Sequence, residues 1–115
     1  MKWLRRYNES RTITATDETI GKIVFDEIMK LGNGANLNHI DVHNVTRMVS
    51  LFSDSFFYGD ISLWDVGNVT NMSHMFSYSK FNGDLSKWNV GNVRVMKSIF
   101  FTTPFIKKCT KLDII

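Results

Sequence analysis

A unit of 24 residues recurs along this chain, and the repeat limits the possible folds more than any other sequence feature. Equivalent residues fall 24 apart without a gap in three segments, DVHNVTRMVSLFSDSFF from Asp41, DVGNVTNMSHMFSYSKF from Asp65 and NVGNVRVMKSIFFTTPF from Asn89. The third unit is degraded after Phe105, where IKKCTKLD replaces the NGDLSKWN of the second. A short unit cannot bury its apolar face alone, so neighbouring units are expected to stack.

Apolar residues occupy the same positions in successive units, which indicates interior columns. The columns are Val42, Val66 and Val90; Val45, Val69 and Val93; Met48, Met72 and Met96; and Phe52, Phe76 and Phe100. The positions of Leu85, Trp88 and Val90 follow the L-x-x-L-x-L strand pattern of leucine-rich repeats, and the stretch from Val93 to Phe100 has an apolar stripe of helical period. The predicted fold class is therefore α/β, a short leucine-rich-repeat-like solenoid of about three strand-helix units.

The sequence before the repeats predicts a covering element. Residues 1–36 are interpreted as a lead-in and capping helix, and residues 37–115 as the repeats, with units from about 41, 65 and 89. Thr16 or Asp17 is predicted to cap the helix, and Gly32 to end it. One side of that helix is apolar and is expected to pack on the first unit: Ile20, Ile23, Val24, Ile28 and Leu31.

With these residues in view, the chain resembles the BspA-type leucine-rich-like repeats of bacterial surface proteins and lipoproteins. The resemblance covers about Leu37 to Ile115 and is carried by FNGDLSKWNVGNV and VTNMSHMF. It implies an extended surface for adhesion or protein-protein contacts, and no enzymatic activity. The family usually has a secretion signal and a longer array, whereas this sequence shows barely three units.

Composition and motifs narrow the class of protein further. Hydrophobic residues make up 43% and charged residues 22% of the 115, which is typical of a globular domain, and a single cysteine allows no internal disulfide. The sequence has neither an apolar run of membrane-spanning length nor an apolar region after its basic start, so a cytoplasmic location is predicted. Nucleophile-elbow and phosphate-loop patterns are missing as well, which predicts a chain that is not an enzyme and needs no cofactor.

The candidate partner-binding residues lie on the outer face of the predicted strands and at the basic C-terminal end. They are His39, Asp41, His43, Leu63, Asp65, Lys87, Asn89, Lys107, Lys108 and Lys111. Mixed charge suits a protein partner, and a row of aspartates would repel a phosphate backbone. His39, Asp41 and His43 alternate like metal ligands on one strand face, but the next unit lacks such a set, so exposed binding residues are favoured over a metal site.

Four aromatic residues fall outside the apolar pattern and are expected to be exposed partner contacts: Phe56, Tyr58, Tyr78 and Phe101. The C-terminal end is predicted to be open, so that a partner or a second copy covers Phe105, Leu112, Ile114 and Ile115.

The leading hypothesis is a non-enzymatic protein-protein interaction module, such as an intracellular inhibitor or adaptor from a phage or mobile element. One alternative is a fragment of a secreted or surface adhesin. The other is a nucleic-acid-binding protein that uses the basic termini, where the formal net charge of +3 is concentrated.

Overall fold

The computed structural model describes residues 11–103, and it shows how the 24-residue units join. The elements in chain order are β1 (Ile13–Thr14), α1 (Ile20–Leu31) and β2 (Ile40–Asp41). Strands β1 and β2 pair in parallel, with Ile13 opposite Ile40. Isolated parallel bridges follow along the repeats, each joining residues 24 apart: Asn36 with Asp60, Arg47 with Asn71, and Asn71 with Val95.

A ladder of backbone hydrogen bonds connects each unit to the next. The N–H groups of Met48, Ser50, Phe52 and Asp54 donate to the carbonyls of Asn71, Ser73, Met75 and Ser77 at 2.8 to 3.0 Å. One unit later, those of Met72, His74, Phe76 and Tyr78 donate to Val95, Lys97, Ile99 and Phe101 at 2.7 to 2.9 Å. Because every donor precedes its acceptor by 23 residues, all these N–H groups point toward the C-terminal end of the stack.

The prediction of a solenoid of about three strand-helix units is wrong. Residues 11–103 contain one helix, α1, and two short parallel strands, and none of the units contains a helix. In the second unit, Met72 and Phe76 donate their N–H groups to the third unit, so these groups are not available for bonds within a helix. His74 lies between them with φ 58°, a left-handed conformation that interrupts a right-handed helix.

The expected strand is likewise a series of turns. The N–H of Trp88 donates to the carbonyl of Leu85 at 3.1 Å, and that of Val93 donates to Val90 at 3.1 Å. Bonds between residues three apart close turns, whereas strand residues bond to another strand. An apolar spacing of two or three residues is thus satisfied by consecutive turns as well as by strand and helix.

The interior columns are confirmed for the described residues. Rings of Phe52, Phe76 and Phe100 stack at 5.7 Å between successive centroids, and a second column joins Phe57 to Phe81 at 6.0 Å. The valine columns at 42, 66, 90 and at 45, 69 are buried, and so are Met48 and Met72. Offset stacking of aromatic rings adds to the free energy gained from their burial.

Polar side chains tie adjacent units along the edges of this core. The indole N–H of Trp64 donates to the carbonyl of Leu37 at 2.9 Å, and that of Trp88 to Ile61 at 3.0 Å. The amide of Asn68 donates to the carbonyl of His43 at 2.7 Å, and its counterpart in the third unit, Asn92, donates to Gly67 at 2.6 Å. Each repeated polar residue therefore satisfies a carbonyl of the preceding unit.

Helix α1 lies against the first unit, as its apolar side predicts. Ile20 and Val24 are buried in the common core, and Gly32 follows the helix with φ 91°. The predicted start was wrong, because the N-cap is Thr19, whose side chain caps no helix N–H; its hydroxyl oxygen accepts instead from the N–H of Thr16 at 2.9 Å.

Asp17, predicted as a helix cap, instead accepts hydrogen bonds from the first unit. Its carboxylate accepts from the N–H of Thr46 at 2.7 Å, from the Thr46 hydroxyl at 2.6 Å and from the N–H of Arg47 at 3.2 Å. In the next unit the equivalent N–H, that of Thr70, donates to the carbonyl of Thr46 at 2.8 Å. The hydrogen bonds from Thr46, chiefly that from its hydroxyl, lower the pKa of Asp17. A side chain thus replaces the carbonyl that an earlier unit would supply.

Replacing Asp17 with alanine should lower the free energy of unfolding by about 1–3 kcal/mol, because the N–H groups of Thr46 and Arg47 lose their acceptor. Asp17→Asn retains one acceptor oxygen and should lose less. Urea denaturation of both variants measures the difference. Exposed Glu18 supplies the control, since Glu18→Ala should stay within about 0.5 kcal/mol of the parent. Equal losses in Asp17→Ala and Glu18→Ala would contradict the assigned role.

Acid should destabilise the fold through several carboxylates. Hydrogen bonds lower the pKa of Asp17, of Asp41 chiefly through the N–H of His43, and of Asp60 chiefly through the N–H of Ser62. A pKa that is lower in the folded than in the unfolded chain contributes stability above the ordinary carboxyl pKa, and this stability is lost as the pH falls. The free energy of unfolding should therefore decrease from about pH 5 downward.

Urea titrations between pH 7 and pH 3 measure this slope. Asp17→Asn should reduce it, since one titrating group with a lowered pKa is removed. An unchanged slope in that variant would show that Asp17 does not contribute to the acid sensitivity.

Candidate functional site

A groove of ≈ 380 Å³ crosses all three units on the side where their turns lie, and we call it the turn groove. Equivalent positions line it repeatedly, so that its walls run along the stack rather than across one unit. The lining residues are Ser50, Ser53, Asp54, His74, Ser77, Tyr78, Ser98 and Phe101. It is the candidate site because polar and aromatic side chains converge on a concave surface there.

Left-handed backbone conformations shape this groove. Two positions in each unit have positive φ, at 52° to 58°, and none of the six is glycine: Ser50, His74 and Ser98; and Asp54, Tyr78 and Thr102. Non-glycine residues rarely adopt this conformation, and a bulky or β-branched residue such as Tyr78 or Thr102 does so least readily. In the first two units the ladder holds the strained residues, because Ser50 and Tyr78, for example, donate their N–H groups to Ser73 and Phe101.

Two exposed aromatic rings form a corner at one side of the groove. Tyr78 and Phe101 meet edge to face, with ring centroids 5.5 Å apart and planes at 80°. Their exposed fractions are 55% and 53%, although both are large hydrophobic residues. Exposed rings that already hold each other in place lose little side-chain entropy when a partner packs on them.

Serine and histidine in the groove do not form an activated nucleophile. The hydroxyl of Ser77 donates to the carbonyl of Ser98 at 2.7 Å, whereas Nδ1 of His74 lies 3.4 Å from it. Ser77 is also buried, with 3% of its surface exposed. Its proton is therefore directed at a carbonyl, and the pair serves to join the second and third units.

On the predicted strand face, the acidic and amide residues mainly stabilise turns. Asp41, Asp65 and Asn89 each accept a hydrogen bond from the N–H two residues later, at 3.0, 3.0 and 3.1 Å. Asp41 also pairs with Nδ1 of His43 at 2.7 Å. The row of side chains exists, but its oxygens already have local partners, as in other Asx turns.

His39, expected to be exposed, is largely buried beneath α1. Its Nε2 lies 2.7 Å from Oε1 of Glu27, and only 9% of its side chain is exposed. Lys30 and Arg11 approach the other carboxylate oxygen at 3.4 and 3.9 Å. Burial acts to raise the pKa of Glu27, but hydrogen bonds from His39 and Lys30 outweigh it and lower this pKa. His39 therefore anchors the helix to the first unit.

The remaining predicted residues divide between exposed and undescribed positions. Leu63 is 65% exposed, and Lys87 is exposed beside it in the next unit. Lys107, Lys108 and Lys111 lie outside the described residues, as do the C-terminal apolar residues from Phe105 to Ile115. Asp41 pairs with His43, whereas His39 pairs with Glu27, and within residues 11–103 there is no group of three side chains suited to a metal ion.

Sequence reasoning identified only part of the turn groove. Phe56, Tyr58, Tyr78 and Phe101 are exposed as predicted, at 53% to 68%. The serines of the groove, Asp54 and His74 were missed, because their side chains differ between units and suggest no motif. One available signal was the column Ser50, His74 and Ser98, where polar residues interrupt the apolar pattern at a fixed position.

Within residues 11–103, α1 has 12 residues, and no helix is long and apolar enough to cross a membrane.

Comparisons with known proteins place the chain in a family. No curated protein and no solved structure gives a significant match to the chain. A family model described as "Mycoplasma protein of unknown function, DUF285" matches residues 22–114, which include most of α1 and the repeats. Because the DUF285 model is found in BspA-like surface proteins, the resemblance to BspA-type repeats is supported at the level of a related family. The chain belongs to the DUF285 family.

Proposed function

We propose that this chain is a non-enzymatic protein-interaction module that binds its partner at the turn groove. The observation that carries the proposal is the aromatic corner of Tyr78 and Phe101, half-exposed in a concave surface. Tyrosine and phenylalanine are enriched at protein interfaces, where a few aromatic anchors supply most of the binding free energy. The carboxylate of Asp54 and the imidazole of His74, both in the lining, offer polar contacts around these anchors.

The arrangement of the groove suits an extended segment of a partner protein. Its walls follow the stack through all three units, and serine hydroxyls from successive units line it. The hydroxyls of Ser50 in the first unit and Ser98 in the third offer hydrogen bonds to the backbone of such a segment, while the aromatic corner binds one apolar side chain.

The resemblance to BspA-type repeats supports a role in protein-protein contacts, and we propose that the chain acts as an adaptor or inhibitor inside the cell. A surface adhesin is the alternative within the same family. Protease treatment of intact native cells separates the two, because a surface adhesin would be degraded under conditions that spare a cytoplasmic marker. Loss of the chain in that treatment would exclude the intracellular role.

Substituting the aromatic corner should abolish partner binding. Tyr78→Ser and Phe101→Ser should each weaken binding by at least about 30-fold, because truncating an aromatic hot spot costs about 2 kcal/mol or more. The partner is first captured on the immobilised chain from a lysate of the native host and identified by mass spectrometry. Its affinity for each purified variant is then measured by titration calorimetry.

Two control variants distinguish the turn groove from other exposed surfaces. Phe56→Ser removes an aromatic residue that is even more exposed, at 68%, but does not line the groove, and Leu63→Ser tests the predicted strand face. Both should bind like the parent chain, and the thermal unfolding midpoint checks that every variant folds. If Leu63→Ser abolished binding while Tyr78→Ser did not, the interface would lie on the strand face and the groove proposal would fail.

A further inference from the structure

The carboxylate of Asp54 differs from those of the other aspartates in residues 11–103. Each of the other six accepts a hydrogen bond at 2.6 to 3.0 Å: Asp17, Asp26, Asp41, Asp60, Asp65 and Asp84. Within the described part of the chain, Asp54 has only the hydroxyl of Ser53, at 3.5 Å, and forms no ion pair. Its negative charge is therefore available to a ligand.

Asp54 is exposed in the wall of the turn groove, and among the described residues it is the one member of the lining with a full negative charge. The described lining contains no lysine or arginine. The imidazole of His74 lies 3.4 Å from the hydroxyl of Ser77 and is not paired with Asp54. A concave surface with one uncompensated carboxylate favours a cation at that point.

The repeat fixes how far this carboxylate lies from the aromatic corner. Asp54 and Tyr78 occupy equivalent positions in the first and second units, and their N–H groups donate to Ser77 and Phe101 of the following units. Successive units are 5.7 Å apart at the phenylalanine column, so the corner begins one unit beyond Asp54. On an extended segment, side chains two residues apart lie on the same side at about 7 Å, whereas adjacent side chains point to opposite sides. The two separations are similar.

We propose that the segment bound in the turn groove carries a lysine or arginine two residues from the apolar side chain on the aromatic corner, and that this cation pairs with Asp54. The inference rests on the proposed binding of a partner segment in the groove, and it specifies the chemistry of that segment. Ammonium and guanidinium groups supply the N–H donors that a free carboxylate accepts, and their long stems pack along apolar surface. Asp54 would repel an acidic segment.

Three synthetic peptides with blocked ends test the charge and the spacing. TRTLTRT has arginine two residues from leucine on both sides and so covers both chain directions, and TQTLTQT is its neutral counterpart. TTRLRTT has the composition and charge of TRTLTRT, but its arginines lie on the side opposite to leucine. Titration into the isotope-labelled full chain at low salt, followed by the backbone amides of Tyr78 and Phe101, gives the dissociation constants. TRTLTRT should bind about three- to fivefold more tightly than either of the others.

Asp54→Asn removes the charge but keeps the shape of the side chain. Asparagine also tolerates the left-handed conformation at this position, where φ is 58°, so the fold should be retained. This variant should bind TRTLTRT and TQTLTQT with equal affinity. Glu18→Gln removes a charge from an exposed residue outside the groove and should keep the preference of the parent chain. The thermal unfolding midpoint checks that both variants fold.

Different results would contradict this inference and the groove proposal. If the parent chain bound TRTLTRT and TQTLTQT equally well, the inference would be overturned while the groove remained a binding site. A preference for TRTLTRT that persisted in Asp54→Asn, or that TTRLRTT shared, would overturn it as well. If no peptide shifted the amides of the groove, the proposed binding of extended segments there would fail, and the inference would fail with it.

Discussion

The hydrogen bond from a backbone N–H to a carbonyl 23 residues later is the interaction on which the rest of this structure depends. Four such bonds join the first unit to the second, and four more join the second to the third. They direct the polar backbone along the stack and leave the apolar side chains to form columns inside it. Because no unit completes its own hydrogen bonding, each unit is stable only with a neighbour or a substitute for one.

The first and third units meet this requirement in different ways. At the start, Asp17 and helix α1 replace a preceding unit, the carboxylate by accepting hydrogen bonds and the helix by covering apolar side chains. In the third unit, the N–H groups of Met96, Ser98 and Thr102 have no acceptor among residues 11–103. Backbone bonds in the opposite direction also join the units, from the N–H of Thr70 to Thr46 and from that of Arg94 to Thr70, and Asp17 stands in for the carbonyl of that series at the first unit.

The same ladder shapes the candidate site. Two positions in each unit are left-handed, and five of these six residues line the turn groove with side chains that the apolar core does not need. Strained conformations persist only where the surroundings hold them, and in the first two units the N–H groups of Ser50, Asp54, His74 and Tyr78 donate to the following unit. The groove is thus a direct consequence of how the units join, and its serines, Asp54, His74 and the aromatic corner are free to differ between units.

The amino-acid sequence by itself determined the period, the register, the buried columns and helix α1, because burial of side chains repeats with the chain and is visible as apolar residues 24 apart. Only the tertiary structure decided the conformation between them. Turns and a two-turn helix place apolar residues at similar spacings, and the choice depended on whether N–H groups bond within a unit or to the next one. His39 and Asp17 show the same limit, since their partners Glu27 and Thr46 lie 12 and 29 residues away in sequence. No local pattern specifies such distant contacts; packing of the helix against the first unit creates them.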